Sequence, residues 1–217
     1  YGMSETCPIV TATYLHSDEL NLPMSEQMPY RIKAGVPAGL VDIRIVDPAG
    51  NYVPHDGEAM GEVVVRAPWL TQGYYKEPEK GDELWANGWL HTGDVASISV
   101  DGTLEIKDRI KDVIKTGGEW ISSLELENLI SQNEAVNQVA VVGVPDERWG
   151  ERPFAMIVAA EGHSIDAAGI KQHLQQYVES GQIAKWAIPE RISIVTEIPK
   201  TSVGKVNKKL IRDQVDD

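Results

Sequence analysis

Residues 198–212, IPKTSVGKVNKKLIR, hold five basic side chains and no acid, near the end of a chain whose formal net charge is -13. Lysine is a compact point charge on a flexible stem, so Lys205, set after a Thr-Ser-Val-Gly turn, can swing onto an anion. The Gly-Lys pair also raises a Walker phosphate loop. That pattern needs glycine five positions before Gly204, where Pro199 stands, and Val206 replaces the hydroxyl residue that would reach Mg2+. The same composition also suits a solvated charged tail.

Three further stretches carry usable groups. Residues 108–127, DRIKDVIKTGGEWISSLELE, contain the adjacent glycines Gly117 and Gly118, which let a backbone approach a ligand closely. Arg109, Lys111 and Lys115 alternate along an expected strand, and period two would put all three on one face; a plain hairpin with a polar outer face reads equally well. In HTGD, residues 91–94, Asp94 could accept from the paired hydroxyls of a ribose, although a Thr-Gly-Asp sequence is also simply a turn. In YGMSE, residues 1–5, Glu5 could hold Mg2+, which prefers oxygen ligands shared with phosphates.

Positioning these groups is the work of two kinds of element. Residues 41–67 and 95–115 alternate apolar and polar side chains around turn residues, the second set around Asp101-Gly102, so antiparallel hairpins in a small barrel or sheet are expected. A turn and short helix precede them, and the proline-broken residues 21–37 read as a loop. Residues 69–94, rich in glycine and aromatics, read as an ordered surface loop. Residues 122–132 have a capping serine, early acids and 3.6-residue spacing, which predict a helix. Strands follow at 137–145 and 152–160, then a helix at 165–180, a strand at 191–198 and a final helical turn at 208–215. The fold class is α+β: a β-rich antiparallel part over 1–108, then a small α+β domain over 109–217.

At 217 residues and 42% hydrophobic, the chain can bury a sizeable core. Its acidity argues against nucleic acid or an anionic membrane as partner. Up to Asp108 there are 7 basic and 17 acidic residues, and after it 13 and 16, so the positive charge gathers late. Cys7 has no cysteine partner for a disulfide or zinc site, and the five histidines show no metal-ligand spacing. No apolar run approaches a transmembrane length and the first residues lack the pattern of a signal peptide, so a cytoplasmic location is expected.

Taken in order, YGMSE, GYY, WLHTGD, DRIKDVIKTGGEWISSLELE and PKTSVGK resemble the successive core motifs of the adenylate-forming superfamily, which includes acyl-CoA synthetases, firefly luciferase and peptide-synthetase adenylation domains. The resemblance implies activation of a carboxylic acid by ATP with Mg2+, then transfer of the acyl group to a thiol such as that of CoA. By motif position, Tyr1, Gly2 and Met3 would line the adenine site, Ser4 would contact phosphate and Glu5 would hold Mg2+. The family usually has Thr at the place of Ser4, a change that keeps the hydroxyl. Asp94 would accept from the ribose with Arg109 nearby, and Lys205 would contact the carboxylate and α-phosphate. Lys111 would be the hinge about which the C-terminal domain rotates between half-reactions. Rotation would bring up Lys115, with Gly117, Gly118, Glu119 and Trp120 lining the CoA path.

The segments KTGGEWISSLELE and EIPKTSVGKVNKKLIR most resemble bacterial medium-chain fatty-acyl-CoA synthetases, and Trp186 fits that group, as it would a packed aromatic. The resemblance further implies an N-terminal region of the same polypeptide holding the phosphate loop and acyl pocket, without which the chain alone is expected to be inactive. A non-catalytic nucleotide-binding or regulatory module, an enzyme that loads a carrier-protein thiol, and a nucleic-acid contact by the basic segment remain as alternative readings.

Overall fold

The computed structural model describes residues 1–202 and 204–215, so Val203 of the Thr-Ser-Val-Gly turn lies outside the described residues. The chain divides into two compact units, Tyr1–Ile110 and Lys111–Asp217. The division falls two residues beyond the 108/109 boundary expected above.

In the first unit β1 (Thr11–Ala12) pairs with β2 (Val36–Pro37), and between them lie α1 (Ser17–Leu20) and α2 (Met24–Arg31). Then come β3 (Asp42–Val46), β4 (Gly61–Arg66), α3 (Pro78–Leu84), β5 (Trp85–Ala86), β6 (Trp89–Ile98) and β7 (Leu104–Arg109). Among the described residues these last five strands form an antiparallel sheet in the order β3-β4-β6-β5, with β7 also on β6. The two hairpins expected from alternation are β3-β4 and β6-β7. Ile43, Ile45, Val63, Val65, Leu90, Ile98 and Leu104 pack into one core on one face, while Val64 and Trp89 are buried with Val46 in another cluster. Burying a side chain of this size contributes about 1.5–3 kcal/mol.

Two expected loops are partly helical. Residues 21–37 contain α2, whose interior Pro29 forfeits one backbone hydrogen bond. The Gln27 side chain donates to the carbonyls of Leu20 (3.1 Å) and Leu22 (2.7 Å) and accepts from Arg31, tying down the segment that proline would loosen. Residues 69–94 contain α3, β5 and the start of β6; Pro78 stands in the first turn of α3, where a missing N–H costs nothing, and Leu84 is buried.

The second unit runs β8 (Ile114–Thr116), β9 (Glu119–Ile121), α4 (Ser123–Ser131), β10 (Val136–Asp146), β11 (Gly150–Ala159), α5 (Ala167–Glu179), β12 (Arg191–Ile194) and α6 (Lys208–Val215). Its sheet order is β10-β11-β8-β9, with β12 parallel on β11. Strands β10 and β11 are covered on both faces, hence their nearly unbroken apolar runs. Val141, Ala155 and Ile157 meet the α4 residues Leu126 and Ile130 and the α5 residues Ile170 and Leu174; Val142, Phe154 and Met156 meet Ile198 and the α6 residue Ile211. Ser122 Oγ accepts from Glu125 N–H at 3.0 Å and Asp166 from Gly169 N–H at 2.8 Å, so both N-caps are filled. The strand expected at 191–198 stops at Ile194.

Arg109, Lys111 and Lys115 do not share a strand. β7 ends at Arg109, a turn follows, and Val113 and Ile114 are both buried, which breaks the alternation. Arg109 belongs to the first unit, Lys111 and Lys115 to the second. No helix among the described residues is long and apolar enough to cross a membrane.

Candidate active site

The first unit gathers three of the sequence candidates. Strand pairing sets Asp94 of β6 opposite Arg109 of β7, and Asp94 Oδ1 lies 2.8 Å from Arg109 Nε. Tyr1 O–H donates to Asp94 Oδ2 from 93 residues away in sequence. The carboxylate is 6% exposed and the guanidinium side chain 51%, so the pair is open on the arginine side. Below it, Asp94 N–H donates to Thr92 Oγ1 at 3.1 Å, and that hydroxyl donates to Val63 O at 2.9 Å. Burial, then the bond to Asp94, raises the Tyr1 phenol well above its ordinary range, which keeps it a protonated donor. A carboxylate has about four acceptor positions, so Asp94 can take a ribose hydroxyl beside these two donors.

The YGMSE segment is folded back on itself. Gly2 bridges to Ile9, and a Cβ there would stand 1.8 Å from Pro8 O, which only glycine avoids. Met3 N–H donates to Thr6 Oγ1 at 2.9 Å and closes a short 3-10 turn, Ser4–Thr6, on which Ser4 is exposed. Glu5 Oε1 accepts from Tyr74 O–H at 2.7 Å and Glu5 O from Thr71 N–H at 3.0 Å, joining YGMSE to the GYY stretch. The bond to Glu5 raises the Tyr74 phenol.

In the second unit the β8-β9 hairpin splits its candidates between two faces. Lys115 and Trp120 are cross-strand partners, as are Thr116 and Glu119. Thr116, Gly117 and Glu119 line a groove of about 340 Å3 together with Trp149 and Trp186. Gly117 sits at φ +59 with its N–H bonded to Trp149 O at 2.8 Å; a Cβ there would lie 3.1 Å from the indole. Lys115 N–H donates to Glu151 Oε2 at 2.8 Å and Thr116 Oγ1 to Glu151 O at 2.8 Å, which fixes the hairpin while the exposed Lys115 side chain projects from it. Gly118 is exposed at the tip.

Lys205 stands on another loop of this unit. Lys200 bridges to Val206, Thr201 N–H donates to Lys205 O at 2.7 Å, and Lys205 N–H donates to Thr201 Oγ1 at 3.2 Å. The backbone of Lys205 is thus bonded on both its N–H and its carbonyl to Thr201 and its side chain is left exposed, without an ion pair among the described residues. Lys111 opens the unit, its carbonyl bonded by Arg212 at 2.9 Å. Sequence reasoning passed over Trp149 and Glu151. The available signal was DERWG, an aromatic beside a glycine in a turn between two apolar strands.

Residues 1–75 match the family model for AMP-binding enzyme, and residues 125–205 that for AMP-binding enzyme C-terminal domain. The chain is 41% identical over 217 residues to a 3-methylmercaptopropionyl-CoA ligase of Ruegeria lacuscaerulensis, covering 100% of this chain and 39% of that one. It is 40% identical over 215 residues to a long-chain-fatty-acid–CoA ligase of Thermus thermophilus, covering 99% and 39%. ATP-bound MatB from Rhodopseudomonas palustris superposes with a TM-score of 0.79 at 29% identity, over 100% of this chain and 40% of that one. The chain therefore spans about two fifths of the length of these relatives. With both family models matched in order and CoA ligases among its relatives, the chain belongs to the AMP-binding, adenylate-forming enzymes.

Proposed function

We propose that the protein carrying this chain is an AMP-forming acid–thiol ligase that converts a fatty acid, ATP and CoA into acyl-CoA, AMP and pyrophosphate. The observation that carries this is that one chain holds, in its first unit, a buried carboxylate backed by Tyr1 and Arg109 and, in its second, an exposed lysine whose backbone is bonded to Thr201. In the first half-reaction a carboxylate oxygen attacks the α-phosphorus of ATP and the bond to the pyrophosphate oxygen breaks. Lys205 stabilises charge on the carboxylate and the pentavalent phosphorus, an electrostatic contribution of a few kcal/mol in a water-poor site, about 3 by analogy with oxyanion donors. Asp94 holds the ribose, Tyr1, Gly2 and Met3 flank the base, and Ser4 meets a phosphate.

Glu5 fits Mg2+ as one carboxylate of a shell that phosphates and water complete. Its carboxylate is held in place by Tyr74, and among the described residues no group of three His, Cys, Asp or Glu side chains could hold a metal alone. Such an ion would neutralise charge on the departing pyrophosphate.

In the second half-reaction the thiol sulfur attacks the acyl carbon and AMP leaves. Lys115 serves this step from one face of the β8-β9 hairpin, and on the other the groove between Trp149, Trp186 and Gly117 supplies an apolar wall for the thiol arm. The turn between β7 and β8, with Lys111 at the division between units, supports a hinge there.

The test mixes the whole enzyme with ATP, Mg2+ and a panel of carboxylic acids, with and without CoA, and weighs the products. Acyl-CoA with AMP is the expected result. Adenylate that accumulates regardless of CoA would move the acceptor to a carrier protein, and no AMP from any acid would overturn the reading.

A further inference from the structure

Helix α6 makes two polar attachments one turn apart. Lys208 Nζ lies 2.8 Å from Glu127 Oε1 and donates to Ser123 Oγ at 2.7 Å, both on α4. Four residues on, Arg212 Nη2 lies 2.8 Å from Asp112 Oδ1 and donates to the Lys111 carbonyl at 2.9 Å. Spacing of i, i+4 puts both cations on one face of α6, and Ser123 and Glu127 show the same spacing on α4. Ile211, fully buried beside Val142, Phe154 and Ile198, anchors the helix on the sheet.

The Lys205 loop runs directly into this helix. Asn207 N–H donates to Pro199 O at 2.8 Å, and Asn207 Oδ1 accepts from Leu210 N–H at 3.1 Å and caps the first turn. One short helix therefore follows the Lys205 loop directly and, through Arg212, grips the first two residues of its own unit. The two hydrogens of one guanidinium nitrogen serve a carbonyl and a carboxylate whose side chains, Arg212 at 28% and Asp112 at 15% exposure, are partly withdrawn from water, where charge-assisted bonds are strong.

We propose that Arg212 is a positioning residue for adenylation. By holding the Lys111 carbonyl and the Asp112 carboxylate while α6 carries the Lys205 loop, it makes loop and hinge segment one rigid body. Turning between half-reactions then falls to backbone bonds N-terminal to the Lys111 carbonyl. This rests on the reading that the two units alternate between half-reactions. Its physical content is that an ammonium aimed at a reacting phosphorus tolerates little slack: misplacement of about 1 Å can cost on the order of a hundredfold.

The experiment uses the whole enzyme as wild type, Arg212→Met and Arg212→Lys, with two readouts. The first is the rate of tryptic cleavage after Lys111, whose carbonyl the protease must seize, relative to cleavage after exposed Lys80 of the first unit. Arg212→Met should raise this ratio by about tenfold, as a locally released segment does, and Arg212→Lys, which keeps a cationic donor, by less. The second compares ATP–pyrophosphate exchange with thioester formation from supplied acyl-adenylate. Arg212→Met should lower the exchange kcat by about tenfold or more with KM for ATP little changed, spare thioester formation, and be partly restored in Arg212→Lys. An unchanged cleavage ratio would overturn the tie, and an equal fall in both half-reactions would reduce Arg212 to a merely structural part. If the wild type performs neither half-reaction, the functional reading fails while the cleavage ratio still judges the tie.

Discussion

At the scale of single residues the chain is organised around Asp94. A carboxylate 6% exposed is costly unless its oxygens are bonded, and here they receive Arg109 and Tyr1. Asp94→Asn keeps the shape and loses the charge, so both partners lose their charged acceptor. In the whole enzyme ATP binding should weaken by about 1.5–3 kcal/mol, the worth of a hydrogen bond to a charged group, and titration calorimetry would read it; unchanged affinity would remove Asp94 from the ribose site. The raised Tyr1 phenol adds a pH signature. A group whose folded pKa exceeds its unfolded value of 10.0 stabilises the fold fully below that pH and progressively less above it, because only the unfolded phenol ionises. Urea unfolding between pH 9 and 11 should therefore show a loss of stability that is smaller in Tyr1→Phe. The carboxylate and the guanidinium were legible as motif residues. So was Tyr1, expected at the adenine, but the bond of its hydroxyl to Asp94 was not, since nothing local in YGMSE says where its ring will lie.

At the scale of elements, the helices with a cap and a 3.6-residue stripe were legible: α4 behind Ser122 and α5 within the expected 165–180. So were β10 and β11, whose apolar runs are too short for buried helices. Helices α2 and α3 were not, because proline and glycine there signal a break while the stabilising contacts, the Gln27 side chain and buried Leu84, are tertiary. The β8-β9 hairpin is the element most exposed to a single change. Gly117→Ala places a side chain at φ +59 and 3.1 Å from Trp149, a strain of about 1–2 kcal/mol. It should slow thioester formation from supplied adenylate while pyrophosphate exchange stays near wild type. Equal loss in both steps would show that Gly117 serves only the fold.

At the scale of the whole chain, each unit has its own buried cluster, Val63, Val65 and Leu90 in the first and Leu126, Ile130 and Leu174 in the second. Calorimetry of the chain should resolve separate effects: Leu126→Ala, at a cost of about 2–5 kcal/mol, should lower the transition of the second unit and leave that of the first in place. A single transition lowered as a whole would mean that the units unfold as one. The division of labour proposed for these units has a sharper test. Lys205→Ala in the whole enzyme is assayed separately for adenylate formation and for thioester formation from supplied acyl-adenylate. Loss of the first step by about two or more orders of magnitude, with the second spared, is the expected result; equal loss of both, or loss of neither, would contradict the role of the Lys205 loop in adenylation.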